Sequence, residues 1–189
     1  MQIASAGPAY AGRTVRSWGE FAALPDDGYR YEVDNGRLFV TPATLGPHQV
    51  VVDNLVARLK AACPGGFTAV SSPIDWVLSA EDPVRVRQPD VAVVSKAVAL
   101  NPPIRTAPLL VVEVAGQDSV RVDEGEKVDL YGAAGLRHYW VLRWHDRLLS
   151  VYGDDGGGLR LVDRLAADRT VALTDPFPVV FRIEDLLLP

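Results

Sequence analysis

The sequence predicts one α/β or α+β domain in which helices flank a mixed β-sheet. Strand-length apolar runs recur along the chain, and segments whose apolar residues fall at helical spacing alternate with them. No internal repeat and no long linker divides the 189 residues, which is a length typical of about one domain.

Turn-forming residues define the N-terminal part of the chain. Residues 1–12 are small and turn-forming and predict a loose arm, so the folded domain is expected over residues 13–189. Thr14 can cap a short helix that reaches Leu24. The Asn35-Gly36 pair lies between two β-rich runs and is a strong hairpin signal.

Periodicity predicts the remaining helices and strands. The helices are expected over His48–Ala62 and Val120–Ala134, and the charged stretch Ser79–Arg87 is expected to be a loop. The strands are expected at Phe67–Leu78, Gln88–Val94, Leu109–Ala115, His138–Trp144, Leu148–Tyr152 and a run through Leu161, with a final strand and helical turn in Pro176–Pro189. In the first of these strands, Pro73 suggests an edge or a bulge.

Composition and charge exclude several classes of protein. A hydrophobic content of 48% suffices for a packed core, and the apolar runs are far shorter than the ~18 residues that span a bilayer. The first residues do not form a signal peptide, so we expect a cytoplasmic protein without a membrane partner. One cysteine, Cys63, rules out an internal disulfide and a cysteine zinc cage. The net charge of −5 argues against a protein that coats nucleic acid, but it is compatible with a nuclease, because metal ligands are acidic.

Two predicted strands each carry one carboxylate where a buried strand should have none. They are Asp90 and Glu113. A lone buried carboxylate is expensive unless a cation or donor compensates it. If the strands are neighbours, side-chain alternation lets both acids point into one cleft. Two carboxylates and a strand carbonyl suit Mg²⁺ or Mn²⁺, so the pair points to hydrolysis of a phosphodiester.

Lys127 lies on the next predicted helix, on a partly apolar face that is expected to pack on the sheet. This packing would bring its ammonium towards Glu113, where it could orient the attacking water or stabilise a pentavalent phosphate. Each residue alone also has a simpler interpretation as a turn residue, a salt-bridged structural acid or a solvated lysine. The combination, in strand–strand–helix order, favours a functional site.

Six segments in order along the chain carry a family resemblance. They are Arg30–Arg37, Gly46–Gln49, Gln88–Val94, Val111–Val114, Gly125–Tyr131 and Gly135–Val141. Together they resemble the family described as "putative restriction endonuclease" in the PD-(D/E)XK nuclease superfamily, over about Trp18 to Leu187. The resemblance implies a restriction-endonuclease-like fold, a metal site at Asp90 and Glu113 and DNA as the substrate. A homodimer is expected if both strands are cut together.

The resemblance also implies roles for further residues. In the standard superfamily pattern the lysine lies two residues after the acid, where this chain has Ala115, so Lys127 is expected to be a migrated catalytic lysine. Glu32 matches an acidic family position and could be a further ligand, a water-orienting base or merely a charge on a hairpin strand. His48 matches the family histidine and could contact a phosphate, act as an acid or base, or only cap its helix.

The other polar and aromatic residues of these segments are interpreted as structural. Asp123 and Glu124 are expected to be charges on the helix surface or first turn, and Trp140 and Trp144 are expected in the core. The turn residues Arg143, His145 and Arg147 are expected to be solvated. Two alternatives to a metal-dependent DNA endonuclease stay open: a catalytically silent binding or regulatory module with the same fold, and a hydrolase of another phosphate ester or a nucleotide.

Overall fold

Three β-sheets and the helices packed on them make up the chain, in a computed structural model that describes residues 9–42, 44 and 46–187. The strands in this part of the chain are β1 (Tyr29–Asp34), β2 (Arg37–Pro42), β3 (Phe67–Ser71), β4 (Trp76–Ser79), β5 (Arg85–Arg87), β6 (Val91–Ser95), β7 (Leu110–Ala115), β8 (His138–Arg143), β9 (Leu148–Asp154), β10 (Leu159–Ala166), β11 (Thr170–Leu173) and β12 (Val179–Arg182). The helices are α1 (Trp18–Ala22), α2 (Pro47–Ala62), α3 (Lys96–Ala99) and α4 (Lys127–Ala133), with a π-helix at Val122–Glu126 and a 3₁₀ helix at Ile183–Leu186.

The largest sheet has six strands in the order β10-β9-β8-β7-β6-β3. Its neighbours are antiparallel except β7 and β8, which are parallel. Two parallel neighbours require a crossover connection, and the π-helix and α4 supply it. This crossover returns the chain over one face of the sheet, so that α4 lies next to β7.

The two faces of this sheet have separate cores. One face packs against α2, β11, β12 and the 3₁₀ helix through aliphatic residues and phenylalanines. The other face packs against α4 and includes Trp76, Tyr131 and Tyr139, whose rings lie 5.1 Å and 5.3 Å apart in succession. Buried tyrosine hydroxyls need hydrogen-bond partners, so the second face is also the more polar one.

A smaller sheet, ordered β2-β1-β5-β4, stands beside the first. The β1–β2 hairpin turns at Asn35 and Gly36, whose φ angles are 46° and 74°. Two-residue turns with positive φ at both central positions match the twist of the strands that they join. Val33, Val84 and Val86 are fully buried in the core that this sheet forms with α1. The sheet is therefore a rigid wall next to the start of β6.

The predicted fold class is confirmed, and so are the hairpin and the long second helix. The strand predicted over Phe67–Leu78 is wrong, because the chain breaks into β3 and β4, which belong to different sheets. Pro73 lies in this break and has no amide hydrogen to donate to a ladder. The loop predicted over Ser79–Arg87 is also wrong for Arg85–Arg87, because these residues form β5, which pairs with β1 and β4.

Smaller differences concern the ends of the chain. Ser17, not Thr14, caps α1, since its hydroxyl accepts a hydrogen bond from the Glu20 amide. Residues 1–8 of the predicted arm lie outside the described residues, whereas the Gly12 amide donates to the Leu38 carbonyl at 2.8 Å. The division into an arm and one domain over residues 13–189 stays a prediction. No described helix is both long and apolar enough to cross a membrane.

Candidate active site

Asp90 and Glu113 lie side by side at neighbouring strand ends. Asp90 immediately precedes β6, Glu113 lies in β7, and the pairing of Val91 with Val112 sets the two strands in register. The Val114 amide donates to Asp90 Oδ2 at 2.8 Å, and the Asp90 amide donates to Glu113 Oε2 at 3.4 Å. Asp90 is 6% exposed and Glu113 is 1% exposed. The structure therefore brings the two predicted acids into one buried place, as the strand pattern indicated.

The crossover places Lys127 directly on Glu113. Lys127 Nζ lies 3.0 Å from Glu113 Oε1, and the Tyr131 hydroxyl, one helical turn later, donates to the same oxygen at 2.8 Å. Residues four apart share a helix face, so one face of α4 supplies both contacts. The lysine thus reaches Glu113 from the helix, although it is absent from the position two residues after the acid.

Asp123 completes this buried cluster: it lies in the first turn of the π-helix, which is one of the two predicted places for it, but it is not a surface charge. It is 3% exposed and its Oδ1 lies 2.8 Å from Lys127 Nζ. Asp123 belongs to the π-helix, and its backbone carbonyl accepts a hydrogen bond from the Tyr139 hydroxyl at 2.9 Å. Short π-helical turns are frequent at functional sites, because they redirect side chains within a helix. The spacing of Asp123 and Lys127, four residues apart, is the sequence signal that could have identified this pair.

Glu124, the neighbour of Asp123, points elsewhere. Its Oε1 accepts a hydrogen bond from the Ser150 hydroxyl at 2.7 Å, and Oε2 lies 3.5 Å from Arg164. Glu124 therefore binds the outer strands of the sheet and does not join the Asp90–Glu113 pair.

Arg30 and Glu32 reach the site from the smaller sheet. Arg30 Nη1 donates to Asp90 Oδ1 at 3.0 Å, and Nη2 lies 3.3 Å from Glu32 Oε1 and also donates to the Gln88 carbonyl. Glu32 Oε1 further accepts the Gln88 amide at 2.9 Å. Sequence reasoning missed Arg30, although its alternation with Glu32 along β1 puts both side chains on one face.

His48 faces the acids and does not cap its own helix. It lies in the first turn of α2, where no side-chain cap is formed, and its Nε2 lies 2.9 Å from the Val114 carbonyl oxygen and 3.4 Å from Asp90 Oδ2. The shorter contact makes Nε2 the protonated nitrogen, which donates to the carbonyl. Its Nδ1 is buried and has no partner among the described residues. All five predicted site residues therefore meet around Asp90 and Glu113.

Burial and charge shift the pKa values of the two acids in opposite directions. Burial is the largest effect on Glu113 and raises its pKa to about 7, although Lys127 acts against it. Burial also acts to raise the pKa of Asp90, but the hydrogen bond with His48 and the charge on Arg30 outweigh it and hold this pKa well below its usual range. Glu113 is therefore the one of the pair that takes up a proton first.

The basic groups of the site keep their protons. Burial acts to lower the pKa of Lys127, but Glu113 and Asp123 outweigh burial and raise it. Burial likewise opposes the charge on Arg30, and the nearby carboxylates raise its pKa. For His48, the hydrogen bond to Asp90 outweighs burial and raises the pKa above its usual value. Lys127 is consequently a donor and a positive charge, not a base.

The ion-paired cluster has an excess of negative charge. It joins four carboxylates, Glu32, Asp90, Glu113 and Asp123, to two permanent cations, Arg30 and Lys127. When all four carboxylates are ionised and His48 is neutral, two negative charges are left over, and one divalent cation would balance them.

The donor chemistry also suits such an ion. No group of three or more His, Cys, Asp or Glu side chains in the described part of the chain is arranged to hold a metal. Mg²⁺, however, is commonly held by only one or two carboxylates and keeps several waters. Asp90, Glu113 and the Val114 carbonyl together offer such a set of hard oxygen donors.

A cleft of about 1050 Å³ opens over the cluster. Its floor includes Asp90, Glu113 and Lys127, and its walls come from the smaller sheet on one side and the β8–β9 turn on the other. Trp144 and His145 on that turn line the cleft, with ring centroids 3.6 Å apart. Trp140 is buried in the core as predicted, whereas Trp144 is only partly buried. The cluster is therefore accessible to a ligand larger than water.

Comparisons with known proteins agree on a family and a fold. The sequence matches the Uma2 family model, described as "Putative restriction endonuclease", over residues 18–186. No curated protein matches the sequence. A solved structure from Anabaena variabilis ATCC 29413, described as a putative nuclease belonging to DUF820, superposes with a TM-score of 0.66 at 16% identity, covering 90% of this chain and 96% of that one.

Proposed function

The chain belongs to the Uma2 family, and from this membership and the site geometry we propose that it is a metal-dependent endonuclease that hydrolyses DNA phosphodiester bonds. One observation carries the proposal: Lys127 Nζ lies 3.0 Å from Glu113, beside Asp90, on the floor of an open cleft. Acidic metal ligands with an adjacent lysine are the arrangement that the PD-(D/E)XK resemblance implies. The two unbalanced negative charges of the cluster support a divalent ion at this place.

Asp90, Glu113 and the Val114 carbonyl would hold Mg²⁺ or Mn²⁺. A bound divalent ion would lower the pKa of a coordinated water and neutralise charge on the scissile phosphate. The raised pKa of Glu113 is consistent with this role, because a buried carboxylate is stabilised by a bound proton or a bound metal ion.

Lys127 would act as a fixed hydrogen-bond donor. Its ammonium carries three N–H groups, of which Glu113 and Asp123 engage two. The third is available to an attacking water or to a phosphate oxygen whose charge grows in the transition state. Since its pKa is raised, Lys127 stays protonated and stabilises charge without removing a proton.

Arg30 would contact the phosphate, and His48 would position Asp90. His48 Nε2 lies 2.9 Å from the Val114 carbonyl oxygen and 3.4 Å from Asp90 Oδ2, so the imidazole fixes this acid beside its strand. Arg30 is bound to Asp90 and Glu32, and a guanidinium presents five donors in a fork that matches phosphate oxygens. Glu32 would therefore position Arg30 and the Gln88 amide, without touching the phosphate itself.

A nicking assay on plasmid DNA with Mg²⁺ or Mn²⁺ tests the proposal. Asp90→Asn and Lys127→Met should each lower the cleavage rate by about 100-fold or more, as loss of a transition-state donor or charge does. Asp129→Asn, on the exposed side of α4, is the matched control and should cut like the wild type.

Calorimetric titration with Mn²⁺ supplies a readout that does not depend on turnover. Asp90→Asn should weaken Mn²⁺ binding by at least about 10-fold, while Asp129→Asn should leave it unchanged. Cleavage that survives both site substitutions would refute the assigned roles. Mn²⁺ binding without cleavage of DNA would instead identify a silent binding module with the same fold.

A further inference from the structure

The walls of the cleft differ in charge and in ring content. Among the described lining residues, three of the four permanent cations, Arg30, Arg85 and Arg87, come from the smaller sheet, and Lys127 comes from α4. The opposite wall, at the β8–β9 turn, offers the neighbouring rings of Trp144 and His145. The arginines are ion-paired with Glu32 and Asp34 of the same sheet, which leaves this wall with one net positive charge.

The cleft as a whole is acidic. Among the residues that the structure describes, seven carboxylates and four permanent cations line it, so with every acid ionised and neutral histidines it carries three net negative charges. One bound divalent ion would still leave one negative charge. Proteins that grip duplex DNA do so by neutralising phosphates on both strands with basic residues. This cleft lacks the charge for that mode, so much of the binding energy has to come from the bases.

Exposed rings are present for that purpose. His145 is exposed, and its ring centroid lies 3.6 Å from that of Trp144 at an interplanar angle of 33°. On the smaller sheet Phe39, 47% exposed, also lines the cleft. Unpaired bases stack on such rings, whereas paired bases are already stacked within the duplex.

We infer that the preferred substrate is DNA with unpaired bases, its single backbone running along the arginine wall and one base stacked on the exposed ring of His145. This inference rests on the proposed function and adds the class of substrate to it. One cationic wall fits one phosphate chain, and the ring pair opposite it fits the bases of that chain.

Fluorescence anisotropy with a labelled oligonucleotide tests the inference. Binding of the single strand is compared with binding of the duplex of the same sequence, both in Ca²⁺, and a gel verifies that the probe stays intact. The wild type should bind the single strand at least about 10-fold more tightly than the duplex. His145→Ala should weaken single-strand binding by about 5- to 150-fold, which is the contribution of one stacked base, and leave duplex binding unchanged.

Two further variants separate stacking from other effects of the substitution. His145→Phe keeps a ring at this position and should retain single-strand binding. His138→Ala removes a histidine at the other end of β8 that does not line the cleft, and it should bind like the wild type. Thermal unfolding of each variant verifies that the fold is intact.

The inference would be overturned if the wild type bound the duplex as tightly as the single strand or more tightly, or if it bound neither probe. It would also be overturned if His145→Ala weakened single-strand and duplex binding equally. A chain that prefers the single strand yet cuts no DNA with Mg²⁺ or Mn²⁺ would refute the endonuclease proposal alone. The two failures are therefore distinguishable.

Discussion

On the α2 side of the six-stranded sheet β7 presents Leu110, Val112 and Val114, whereas on the α4 side the same strand presents Val111, Glu113 and Ala115. The first set joins a core without a charged member. The second set contains the acid Glu113, whose partners are the Lys127 ammonium and the Tyr131 hydroxyl. Alternation along a single strand thus separates an apolar core from a charged cluster by one residue.

The difference shows how one sheet serves both stability and chemistry. Apolar burial contributes about 25 cal/mol for each Å² removed from water, so the α2 face stabilises the fold. Burying ionised groups costs free energy that their mutual attraction offsets only with good geometry, so the α4 face depends on every partner being in place. The predictions below test this contrast, beginning with the largest effect.

Lys127→Met should lower the free energy of unfolding by about 3–5 kcal/mol, because it leaves Glu113 and Asp123 buried without their common cation. Urea denaturation at pH 8 measures this loss, and it should shrink as the pH falls below 7 and Glu113 is protonated. Lys60→Met, at an exposed lysine of α2, is the control and should change stability by less than about 0.5 kcal/mol. An equal effect of both substitutions would contradict the importance of the buried pair.

Leu110→Ala should cost about 2–5 kcal/mol of unfolding free energy, since it opens a cavity in the α2-side core. Because Leu110 points away from the site, cleavage per folded molecule should stay at the wild-type level. Urea denaturation and active-site titration measure the two quantities. A loss of activity in folded protein would show that the two faces are not independent.

Stability should fall as the pH rises from about 4.5 through neutrality. The pKa of Glu113 is raised to about 7, so the folded state holds a proton that the unfolded state has released, and this favourable difference disappears as the pH rises through the folded pKa. The raised pKa of His48 acts in the same direction at higher pH. The contribution of Glu113 is at most about 3 kcal/mol. Glu113→Gln should flatten the dependence of unfolding free energy on pH, and an unchanged slope would assign it to other groups.

Tyr131→Phe should cost about 1.5–3 kcal/mol at pH 8, as it removes a hydrogen bond to a charged acceptor while it keeps the ring in the core. Tyr139→Phe is a comparison within the same core, because that hydroxyl donates to a neutral backbone carbonyl of Asp123. It should cost less, about 0.5–1.5 kcal/mol. Equal losses in chemical denaturation would indicate that Glu113 is not ionised in the folded protein at this pH.

Local rules in the sequence account for the elements with strong signals. The Asn35-Gly36 turn and the apolar spacing of α2 are visible in the chain because both depend on residues close together in sequence. Pro73 suggests an edge or a bulge in the run Phe67–Leu78, but the residues do not reveal that its two halves pair with different partners in different sheets. The π-helical turn before Lys127 was missed for the same reason, since the contact that holds it, from the Tyr139 hydroxyl, comes from another element.

The sequence by itself determined which chemistry is available: two acids in apolar strands, a lysine on the following helix, and a histidine and a glutamate in motifs typical of one family. Only the tertiary structure decided which further residues belong to this set. Arg30, Asp123 and Tyr131 join the site through contacts with the acids or with Lys127. Asp123 and Tyr131 each lie four residues from Lys127, a spacing that a helix brings together, whereas Arg30 comes from a different sheet. The physical reason is that a buried charge is compensated by whatever lies nearest in space, and the folded sheets and crossover determine what is near.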